Sequence, residues 1–88
     1  MCTYSTEKVR ISGSAKGASG WFKATEATVY FDHPVHAPFG HSLNVDLMNP
    51  EQGPEFRAAM ELDAVSARGL AEAILKMLDS TPDGLKDH

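Results

Sequence analysis

The sequence predicts an α+β domain in two layers, a four-stranded antiparallel meander sheet with one C-terminal helix packed on one face. Three observations carry this. Four stretches before Asp63 alternate apolar and polar residues with period two. Turn compositions rich in glycine and proline separate them. Beyond Asp63 the apolar period changes to 3.6.

The elements follow in order. Val9, Ile11 and Gly13 alternate with Arg10, Ser12 and Ser14, which marks a first strand over residues 4–16. Lys16 to Gly20 is a turn, with glycines free to take positive φ. Residues 21–33, WFKATEATVYFDH, are aromatic and β-branched and form a second strand. The prolines and glycine of Pro34–Gly40 break the pattern. In His41–Met48, Leu43, Val45 and Leu47 alternate with Asn44 and Asp46 as a third strand. Asn49–Pro54 is a loop, and Phe56, Ala58, Met60 and Leu62 alternate with Arg57, Glu61 and Asp63 in a fourth strand. Ala67, Leu70, Ala71, Ile74 and Leu78 then share one helical face, with Arg68, Glu72 and Lys76 opposite at i, i+4 spacing. Asp63 or Ser66 caps the start, and Pro82 and Gly84 end the helix. The expected organisation is a single β-β-β-β-α domain over residues 1–80 and a loose tail over 81–88.

Length and charge narrow the function. The chain has 88 residues, 42% hydrophobic, with a net charge of -4. At this size it holds one core and gains from a metal, a partner or self-association. Eight basic residues dispersed among twelve acidic ones argue against nucleic acid, whose phosphates call for clustered cations. No apolar run approaches the ~20 residues of a membrane span, and no charged-then-apolar leader is present. A cytoplasmic location is expected. The lone cysteine, Cys2, excludes an internal disulfide framework.

Three of the four histidines fall within nine residues, His33, His36 and His41. Facing the apolar sets of strands two and three inward pairs Ala27 with Leu47, Val29 with Val45 and Phe31 with Leu43, every pair summing to 74. The next pair outward is His33 with His41. Directly opposed side chains have Cβ atoms roughly 4.5–5.5 Å apart, near enough for two imidazoles to share an ion, and His36 lies on the connecting loop. A slip of one residue would turn the whole apolar set to the other face, so the pattern supports the register. The same procedure pairs Val9 with Val29 and Ile11 with Ala27 in the first hairpin, which brings Cys2 alongside His36, although parity points it outward.

Imidazole and thiolate are preferred ligands of zinc and other divalent transition metals. The expected site is therefore a metal centre of His33, His36, His41 and Cys2, with Glu7, Asp32 or Asp46 as carboxylate supplements. If Met1 is removed, the free amine and thiol of Cys2 form a chelating pair. Metal-free acid–base work by the histidines is the alternative use, with solvated or backbone-bonded histidines as the bland one. No nucleophilic triad, phosphate-cradling loop or carboxylate pair points to a named reaction. Trp21 and Phe22 are expected as core anchors. The outer sheet face, with Lys8, Arg10, Thr28, Tyr30, Asn44, Asp46 and Met48, suits solvent or a dimer contact. A second function class follows, a non-catalytic interaction module or accessory subunit that forms a homodimer or takes a protein partner through its open sheet face or edge.

The opening MCTYSTEKVRISGSAKG-x-x-GWF, the segment ATVYFDHPVHAP-x-x-HSLNVDL-x-NP and the ending ELDAVSARGLAEAIL resemble a family of small bacterial proteins classed as a domain of unknown function. The resemblance spans nearly the whole chain and implies one complete domain. It implies no activity, cofactor or site.

Overall fold

The computed structural model describes residues 5–34, 38 and 40–86. Four strands, β1 (Thr6–Gly17), β2 (Gly20–Asp32), β3 (Ser42–Met48) and β4 (Arg57–Leu62), form one antiparallel sheet in the order β1-β2-β3-β4. Helix α1 (Ala64–Ser80) follows, then a short 3-10 turn at Asp83–Leu85. The α+β meander with a helix against the sheet is the fold that the sequence predicts. Among the described residues no helix is long and apolar enough to cross a membrane.

The β2–β3 register is the one the apolar pattern requires: Ala27 opposes Leu47, Val29 opposes Val45 and Phe31 opposes Leu43, ending at Asp32 with Ser42. β4 continues the same face, with Leu62, Met60 and Ala58 opposite Leu43, Val45 and Leu47. The first hairpin departs from expectation. Val9 opposes Ala27 and Glu7 opposes Val29, two positions away from the expected pairing. The turn is tighter than its composition suggests, closing Gly17 onto Gly20 with Gly20 at φ 101°. An irregularity between Arg10 and Gly13 then inserts an extra residue in β1. Burial along β2 slips at the same place, falling on Phe22 and Ala24 and then on Ala27.

The closed end of the sheet holds the core. Ala15, Phe22 and Ala24 are buried there, with Ile11, Leu47, Phe56 and Ala58 packed around them. The Phe22 and Phe56 rings lie tilted at 58° with centroids 6.1 Å apart. Here the edge strands meet: the sheet curls until β1 contacts β4, and a Cβ at Gly17 would fall inside the van der Waals envelope of the Arg57 carbonyl oxygen. Asn49 ties the β3–β4 loop to β2, donating from Nδ2 to the Lys23 carbonyl at 2.9 Å and accepting from the Gln52 amide at 3.3 Å. Of the two aromatics expected as anchors, only Phe22 is buried. Trp21 pairs with Lys16 near the hairpin tip and stays exposed.

Asp63 caps α1, its Oδ1 accepting from the Ser66 amide at 2.7 Å. That amide holds the Asp63 carboxyl below its ordinary range. At the other end the Leu78 carbonyl accepts from the Thr81 amide at 3.3 Å and from Lys86 Nζ at 3.0 Å. Between these ends α1 buries no residue. The helix lies against the sheet without sealing it. The radius of gyration of 14.4 Å exceeds the ~12 Å of a compact chain of this length.

Candidate functional site

The two described histidines converge as the hairpin register requires. His33 and His41 lie just beyond the last β2–β3 pair with ring centroids 4.4 Å apart, and the Phe31 ring stacks on His41 at 6.2 Å. The arrangement corrects the metal reading. The imidazoles are stacked, inclined by 29°, and ring nitrogens offer their lone pairs in the ring plane, so the two do not aim at one point between them. His33 Nδ1 also donates to the Gly40 carbonyl at 2.6 Å, which leaves Nε2 as its one other ring nitrogen. Among the described residues no group of three or more His, Cys, Asp or Glu side chains could hold a metal ion. The zinc or other divalent-metal centre expected of His33, His36, His41 and Cys2 therefore has no support. His36 and Cys2 lie outside the described residues. What the pair does do is structural: an aromatic stack with a backbone hydrogen bond fastens the loop end of the β2–β3 hairpin.

A second polar cluster runs along β3. Ser42, Asn44 and Asp46 are buried, against the expectation of a solvated outer face. The cause is diagonal packing from both neighbouring strands. Tyr30 on β2 donates its hydroxyl to Asp46 Oδ2 at 3.1 Å, and Arg57 on β4 donates to Asp46 Oδ1 at 2.7 Å. Ser42 Oγ donates to Asn44 Oδ1 at 2.5 Å. Among the described residues no buried side-chain polar atom lacks a partner. A network so fully paired within itself is a structural brace and offers no open group to a substrate.

Burial, and after it the nearby Asp46 carboxylate, raises the Tyr30 phenol above its ordinary pKa. A raised folded-state pKa stabilises fully below the unfolded value, about 10 for tyrosine, and that contribution is lost as pH rises through the folded value. Tyr30→Phe should therefore lower stability by about 1 kcal/mol near neutrality and flatten the decline of stability above about pH 10. Urea midpoints of both proteins across that range check this. Parallel curves would show that Tyr30 is not the group responsible.

The third feature is the underside of α1. Ala64, Ala67, Ala71 and Leu75, with Arg68 and Glu72, face Val29, Phe31 and Leu43 of the sheet across an open groove of about 620 Å³. The small alanine edge of the helix thus meets the sheet. Most of its bulky apolar side chains turn away from the sheet, and Leu70, Ile74, Met77 and Leu78 are between 41% and 67% exposed. Leu70, Ile74 and Leu78 were expected over the sheet. Met77 carries the same signal, lying three residues beyond Ile74 on the same side of the helix.

No curated protein and no solved structure matches the chain significantly. The family of unknown function DUF6295 matches it over residues 1–87, and so the chain belongs to that family.

Proposed function

We propose that the domain is an interaction module whose working surface is the outward apolar side of α1. One observation carries the reading: a 17-residue helix that buries nothing presents four large apolar side chains, Leu70, Ile74, Met77 and Leu78, to solvent on one side. Together they amount to about two fully exposed side chains, and covering them would contribute roughly 3–6 kcal/mol. That is comparable with the whole stability of a domain this size, roughly 4–13 kcal/mol. Contiguous exposed apolar surface on this scale marks an interface. Among the described residues the sheet exposes only Val9, Trp21 and Met60 as large apolar side chains, on three different strands.

Site-specific photo-crosslinking in cells tests the reading. A photoreactive residue at Ile74 should give a discrete adduct, while one at Lys76, on the polar side of α1, should give none. Equal labelling from both positions, or none from Ile74, would overturn it.

A further inference from the structure

We infer that the occupant of this surface is the α1 helix of a second copy of the chain, which rests on α1 being an interface at all. Leu70, Ile74 and Met77, turned from the sheet, together with Ala67 at the border of the groove follow the alternating three- and four-residue spacing of a coiled-coil seam. In heptad terms Ala67 and Ile74 occupy a positions, and Leu70 and Met77 occupy d. This seam is centred roughly 100° round the helix axis from the alanine edge that meets the sheet, so both contacts can be made at once. Such a seam fits another helix of the same spacing, and α1 is the only α-helix among the described residues.

Charge placement fits self-pairing. The positions flanking the seam hold Ser66, Ala71, Ala73, Leu78 and Ser80, none of them charged. Arg68, Glu72, Lys76 and Asp79, the four charges of α1, sit at the positions farthest from it. Two copies of a chain of net charge -4 therefore meet here without opposing like charges, a condition that self-association imposes and an oppositely charged partner would not.

The two-fold contact is isologous, with the same seam on both sides.

Sedimentation equilibrium of the purified, tag-free chain from low to high micromolar concentration tests the inference. The expected result is twice the chain mass. Ile74→Lys should weaken association at least about thirtyfold and the milder Ile74→Ala measurably, both with helical circular dichroism retained. Val65→Lys, at the most exposed apolar residue of α1 but off the seam, should change nothing. A monomer at every concentration, or equal weakening by Val65→Lys, would overturn self-pairing. The mass of the Ile74 adduct separates the two readings: a monomer that still gives a discrete adduct of another mass keeps the interface and loses the dimer, and a monomer with no adduct loses both.

Discussion

Phe22→Ala is expected to cost about 3–5 kcal/mol, most of what an 88-residue domain has to lose. The ring is buried at the closed end of the sheet against Phe56, and three of its neighbours in that core, Ala15, Ala24 and Ala58, are too small to collapse into the void. Phe31→Ala serves as the comparison. Phe31 is only half-buried beside the groove under α1, so about half the cost is expected from the smaller apolar area lost. Urea unfolding followed by circular dichroism measures both. A cost for Phe22 below that for Phe31 would show that the core lies under the helix.

The second large effect is expected from adding one methyl group. Gly17→Ala places a Cβ within the envelope of the Arg57 carbonyl oxygen, a backbone atom that no side-chain rotation can move aside. Either β1 or the start of β4 must shift, and the Phe22 ring beside the same point shifts with it. A loss of about 2–3 kcal/mol follows from overpacking of this kind. Gly13→Ala is the control, since nothing lies within 4 Å of a Cβ there. Equal midpoints for the two variants would mean that the edge strands do not close.

How much of this is legible in the sequence depends on how many competing arrangements the residues allow. The β2–β3 register is legible because both strands alternate without interruption, and a slip of one would expose every apolar residue. The meeting of His33 and His41 follows from that register alone. Its chemical meaning does not, because pairing specifies which residues are opposite and not how their rings are turned. The stacking of the rings and the lack of a third ligand among the described residues decided against a shared ion. In the first hairpin the glycines permit more than one turn, and the extra residue in β1 leaves no mark in an alternating pattern. That register was therefore misplaced by two.

The burial of Asn44 and Asp46 was illegible for a different reason. Alternation places them on the polar face, but their shielding comes from Tyr30 and Arg57 on two other strands, a relation between elements distant in sequence. For α1 the period of 3.6 identifies an amphipathic helix and Asp63 its cap, both local matters. It cannot say which part of the apolar arc docks. Alanines and larger residues together cover nearly half the circumference, and either part satisfies the pattern.

The sequence by itself determined the four alternating strands, the central hairpin register, the helix and its start, because short-range periodicity and capping leave few alternatives. Only the tertiary structure decided the rotation of the helix and the closure of β1 on β4. It also decided which face of the sheet is covered, because these are set by the packing of whole elements against one another. The His33–His41 pair is thereby a hairpin clasp, and the surface left open to function lies on the outward side of α1.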